Sequence, residues 1–172
     1  MDEPKVHVAV AEKADKRRTP PKGDRPINFR LMPADCVPSF DLVTAVAVVA
    51  FTPEGKIVAA EEHRGPDLPG GHVQEGEETA EQTARRESDE ETGIKLGTVH
   101  FLRAIESDFY GTAPEDLTYM VIMAAIVTEQ GPVPAGMTRH IMTPEQFHLA
   151  HRGLRKEMLK DLVSAAQKLL FP

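Results

Sequence analysis

Hydrophobic positions along the chain change period several times. LVTAVAVVAF, residues 42–51, is an unbroken β-branched apolar run, the signature of a strand buried on both faces. Pro53-Glu54-Gly55 supplies a turn, and KIVAAEEHR, residues 56–64, reads as the partner strand. GPDLPGG, residues 65–71, predicts a loop whose glycines let the backbone approach a neighbour closely. The period then turns helical. Thr79 with Gln82 three positions on makes a capping box, and the helix should run to Thr92 with Gly93 just past its end. Its inward stripe is Ala80, Ala84 and Ser88, small enough to lie close against a sheet.

Two more strands follow in TVHFLRAIESDFY (98–110) and LTYMVIMAAIVTE (117–129), and RHIM (139–142) reads as a short one. Thr143 caps a short helix that begins at Pro144, with Gln146 as its reciprocal partner. Residues 154–170 form an amphipathic closing helix, with Leu154, Met158, Leu162, Ala165 and Leu169 on one stripe. The order is strands, helix, strands, helix. It predicts an α/β (α+β) domain built on a central mixed sheet with helices on its faces.

The first forty residues break this pattern. KVHVAVA, 5–11, alternates like a short strand that could pair with its own sheet or with a second copy, making a homodimer. The stretch after it is rich in Lys, Arg, Pro and Gly, with Lys16, Arg17, Arg18, Lys22 and Arg25 as its basic cluster. It reads as a solvated arm, or as one that folds over an anionic ligand. Residues 1–40 are therefore taken as an N-terminal arm or extension, possibly with a short strand, and 41–172 as the domain.

Composition narrows the function. A formal net charge of −7 argues against broad adhesion to nucleic-acid polymers or anionic membranes. No apolar run approaches the roughly 20 residues of a membrane span. The first residues lack a basic start followed by an apolar stretch, so a cytoplasmic protein is expected. The single cysteine, Cys36, reads as an ordinary structural thiol.

The helix at 80–92 carries the chemistry. Glu87, Glu90 and Glu91 stand at i, i+3 and i+4 and share a face. They repel one another, and they sit at the negative end of the helix dipole. Both effects are unfavourable for a helix shaped by stability alone. Both reverse if a hard divalent cation such as Mg2+ or Mn2+ lies among the carboxylates.

The frame Arg86-Glu87-Ser88-Asp89-Glu90-Glu91-Thr92-Gly93-Ile94 resembles the second half of the Nudix box, the G-x5-E-x7-R-E-U-x-E-E-x-G-U signature of the Nudix hydrolases, where U is bulky and aliphatic. Glu78 stands seven intervening residues before Arg86, and Leu68–Val73 looks like the loop that opens the box. Two positions depart from the motif. His72 occupies the place of the first glycine, so the stretch from Gly71 to Glu78 holds one extra residue and the register of Glu78 against Glu77 stays open. Ser88 replaces an aliphatic residue, which should loosen the packing of the helix.

The resemblance implies a Nudix-like α/β/α sandwich and attack of water on a pyrophosphate phosphorus. It implies that Glu87, Glu90 and Glu91 bind Mg2+ or Mn2+, with the Gly71 carbonyl as a further ligand. Arg86 would orient a loop glutamate, and Glu78 would support the metal or serve as base. A further carboxylate from a loop beyond the box is expected, with Glu129 favoured over Glu115 and Asp116. The substrate would be a nucleoside diphosphate linked to another moiety. Arg64 and Tyr110 are its candidate contacts, Tyr110 standing where family members that act on diadenosine polyphosphates often carry tyrosine. Stacking on a base would have to use Phe29, Phe40, Phe109, Tyr110, Tyr119 or an arginine plane. The competing reading is a catalytically inactive Nudix-like module that binds nucleotides or regulates.

Overall fold

A computed structural model describes residues 25–172. The strand expected at 5–11 and all of the basic cluster except Arg25 lie outside the described residues. The elements are β1 (Phe29–Leu31), β2 (Val43–Phe51), β3 (Ile57–Glu62), β4 (Gly65–Asp67), β5 (Gly70–His72), α1 (Ala80–Thr92), β6 (Ile94–Leu96), β7 (His100–Ser107), β8 (Thr118–Gln130), β9 (Arg139–Met142), α2 (Pro144–Ala150) and α3 (Lys156–Leu170).

The main sheet runs β1-β7-β8-β2-β3-β4, with β5 paired to β2, β6 to β8 and β9 to β3. The β2–β8 pair is parallel, while the other pairs are antiparallel, so the sheet is mixed as expected. Strand β2 lies at its centre and shows why its sequence does not alternate in polarity. Ala47, Val49 and Phe51 pack toward α2 and α3, against Phe147, Leu159 and Leu162. Val46, Val48 and Ala50 pack the other way, toward Ala84 of α1. Successive side chains serve opposite layers, and both layers are apolar. The result is an α/β/α sandwich.

One expectation changes. The stretch 65–71 is not one loop, because β4 and β5 occupy both its ends. Within the segment 1–40, β1 is an edge strand that pairs Phe29 with Ser107 and Leu31 with Ile105. All three strands are only three residues long, too short for periodicity to register. The capping boxes at Thr79/Gln82 and Thr143/Gln146 form as expected, and Gly93 takes the left-handed conformation (φ 69°) that ends α1. Among the described residues no helix is long and apolar enough to cross a membrane.

Candidate active site

Helix α1 lies across β5 and β2, and Arg86 is its organising side chain. A guanidinium carries five N–H donors in a planar fork, and here each has an acceptor. Nε and Nη2 grip both oxygens of Glu77 at 3.0 and 3.2 Å. Nη2 also donates to the His72 carbonyl at 2.9 Å. Nη1 donates to Glu87 at 2.8 Å and to Glu90 at 3.0 Å. A side chain on the helix thus fastens the loop that precedes the helix. These acceptors hold Arg86 well above the ordinary arginine range, although burial works the other way.

The loop glutamate bound to Arg86 is Glu77, and this settles the register that the sequence left open. Glu77 stands five intervening residues after Gly71, so the additional residue falls between Glu77 and Arg86. Burial would raise the Glu77 carboxyl, but the bonds from Arg86, the Gln74 backbone and Thr83 outweigh it and keep the group below its usual range. Glu78 is exposed, and its backbone N–H donates to Gln82 Oε1 within the N-terminal cap of α1. Arg86 thus holds Glu77 rather than Glu78.

Glu87 is 8% exposed, and Glu91 is half-buried behind it. Burial first, then the like charges of Glu87 and of Glu62 at the end of β3, push the Glu91 carboxyl up to about 8, although the Gly70 N–H at 3.4 Å draws it down. The glycine pair of β5 makes this crowding sterically possible. A Cβ on Gly71 would stand 2.5 Å from Glu87 Oε1, and one on Gly70 would stand 2.4 Å from the Val46 carbonyl oxygen. Only bare backbone fits between β2 and the carboxylates.

These residues fit a hard divalent cation in kind: three carboxylates on one helix face, of which Glu91 is partly desolvated and repelled by Glu87, against glycine backbone on which a side chain would crowd Glu87. Glu87 and Glu90 both accept from Arg86 as they stand. Accordingly, among the described residues no three His, Cys, Asp or Glu groups meet in metal-ligating geometry.

Ser88 is fully buried, and its hydroxyl is the one buried side-chain polar atom among the described residues without a hydrogen-bond partner. Where an aliphatic group would pack, α1 keeps an unpaired polar atom facing the sheet.

On the opposite face of the sheet a cavity of about 590 Å³ opens against the same glycines. Ala45, Ala47, Met120 and Ile122 form its floor, and Gly70, Gly71 and His72 its border with α1. Arg64 and Arg155 stand exposed at its wall, and neither forms an ion pair with a described residue. Buried His151 positions the loop that carries Arg155. Its Nε2 accepts from the Leu154 N–H at 2.8 Å, which leaves Nδ1 to donate toward the Pro66 carbonyl at 3.2 Å and Asp67 at 3.3 Å. Gly153 sits flush against the imidazole, where a Cβ would lie 3.1 Å from the ring.

The other expected contacts lie elsewhere. Tyr110 does not border the cavity and packs edge-on against Phe109 at 5.0 Å. Glu129 lies in β8, in the stretch expected to be a strand, exposed opposite Lys95 of β6, and like the α1 carboxylates it is absent from the cavity wall. The sequence reading missed Glu77, Glu62, His151 and Arg155. The five-residue spacing from Gly71 could have found Glu77, whereas nothing local marks the others.

Comparison with known proteins agrees with this layout. The family model for the NUDIX domain matches residues 41–162. No curated protein matches the chain. Among solved structures, a point mutant of the Bacillus subtilis pyrophosphohydrolase BsRppH is similar with a TM-score of 0.59 at 23% identity, over 81% of this chain and 87% of that one. MutT, from work on Aliivibrio salmonicida and Vibrio cholerae, gives 0.53 at 18% identity, over 70% and 94%. A NUDIX hydrolase from Nitrosomonas europaea gives 0.52 at 20% identity, over 72% and 89%. At these identities the likeness is one of fold.

Proposed function

The chain belongs to the Nudix family, and from that premise we propose that it hydrolyses the pyrophosphate bond of a nucleoside diphosphate linked to another moiety, with Mg2+ or Mn2+ as cofactor. One observation carries the reading. Arg86 gathers Glu77, Glu87, Glu90 and the His72 carbonyl beside the two glycines that border the cavity.

Glu87, Glu90 and Glu91 would hold the cation, with the Gly71 carbonyl as a further oxygen donor. When bound, the ion supplies neutralisation of phosphate charge and acidification of a water. Arg86 and Glu77 orient the loop, so that Gly71 and the helix carboxylates keep their relative positions. Arg64 and Arg155 bind the phosphate oxygens from the cavity side and draw an anionic substrate to a protein of net negative charge. A carboxylate of the cluster accepts the proton of the attacking water.

The test is product release from a panel of nucleoside diphosphate derivatives with Mg2+ or Mn2+, resolved by chromatography. Cleavage of the pyrophosphate in at least one, abolished by a chelator, is expected. Nucleotide binding with no cleavage of any panel member would instead make the chain a non-catalytic binding module.

A further inference from the structure

Residues 25–31 precede the segment matched by the family model, yet they build part of the cavity. Ile27, Asn28 and Phe29 border it. Asp108, directly after β7 and 7% exposed, holds them there. Its carboxylate accepts from the Asn28 backbone N–H at 2.8 Å, from Asn28 Nδ2 at 2.8 Å and from Arg25 Nη1 at 2.8 Å. Arg25 Nη2 donates to the Asp108 carbonyl at 2.6 Å. Side chains two apart on a strand share a face. Leu31 packs against the core on the α3 side, so Phe29 stands on that same face, at the border of the cavity whose floor includes Met120.

Five aromatic side chains could in principle stack on a base, and their positions separate them. Phe40 packs against the core on the α1 side. Tyr119 donates to Glu106 at 3.0 Å, and Phe109 packs against Tyr110. Phe29 alone borders the cavity, and it is 50% exposed. An aromatic ring half open to solvent, bordering the same cavity as two arginines that form no ion pair with a described residue, matches a ligand that joins a planar aromatic group to phosphates.

We propose that Phe29 is a specificity-determining residue, the platform on which the aromatic base of the substrate stacks, and that Asp108 is the residue that positions it. The inference rests on the reading of the site as one for a nucleotide-type substrate. It adds a recognition element supplied by residues outside the matched domain.

The test is equilibrium binding to the full chain in Mn2+, by calorimetry, of AMP, GMP, CMP and UMP against ribose 5-phosphate, which lacks a base. At least one nucleotide should bind more tightly than ribose 5-phosphate. In Phe29→Leu, which keeps an apolar side chain but loses the ring, that preference should fall roughly tenfold. Phe29→Trp should retain it. Asp108→Ala should lower it without removing any group that touches the ligand, and melting curves report whether each variant folds. The proposal is overturned if no nucleotide is preferred over ribose 5-phosphate, or if Phe29→Leu keeps the preference. Pyrophosphate cleavage that persists alongside such a result leaves the Nudix reading intact. A base preference that depends on Phe29 in a chain that cleaves nothing sustains the proposal and removes the catalytic reading.

Discussion

The two faces of the sheet were built by different rules. The α1 face is dense with charge, local in sequence and held by one arginine whose five donors are all engaged. The opposite face is a cavity assembled from segments as distant as Ile27 and Met158, with an apolar floor and scattered cations. The first geometry suits chemistry, which needs fixed carboxylates at fixed spacing. The second suits recognition, which can be met by whatever side chains the surrounding loops bring. Gly70 and Gly71 are the seam between them, bare of side chains because either neighbour would be displaced by one.

If that division is right, substitutions on the two faces should fail in different kinetic parameters. The largest effect belongs to the α1 face. Glu87→Gln or Glu91→Gln should lower kcat by about 100-fold or more, with a far smaller change in KM, since each would remove a ligand of the cation. Steady-state kinetics at saturating Mg2+ measures both. Glu77 and Glu78 sharpen the comparison. Glu77→Gln breaks the paired bonds to Arg86 and should cost about tenfold to 100-fold in activity. Glu78→Gln, at an exposed position, should fall within about twofold of the parent. An equal loss in both would remove Arg86 from the centre of the site.

The contrast in legibility follows the same line. Helix α1 could be read to the residue, because the capping box, the Gly93 stop and the carboxylate spacing all lie within one short segment. The mixed sheet was legible from apolar runs long enough to show a period. Strands β1, β4, β5 and β6 were not, at three residues each. Glu78 was favoured over Glu77 by counting back from Arg86, and only the fold shows that the guanidinium reaches the other glutamate. Arg155 and His151 gain their place through α2 and α3 folding over the sheet. Asp108 gains its own by capturing residues some eighty positions upstream, a contact that no local pattern announces.

Smaller effects test the cavity face. Arg155→Ala should raise KM by about tenfold while kcat changes little, if its guanidinium binds phosphate in ground state and transition state alike. A fall in kcat at unchanged KM would instead move Arg155 into the reacting centre. The smallest effect concerns packing alone. Ser88→Ala removes the unpaired buried hydroxyl and improves helix propensity, so the protein should gain up to about 1 kcal/mol in denaturant unfolding. A loss of stability would mean that the hydroxyl has a partner in solution.

The most direct measurement is Mn2+ titration of the full chain by electron paramagnetic resonance, which reads free against bound ion without any substrate. Saturable binding is expected in the parent, weakened about tenfold or more in Glu91→Gln and unchanged in Glu129→Gln. Equal binding in all three proteins, or none in the parent, would contradict the assignment of the α1 carboxylates as the metal site.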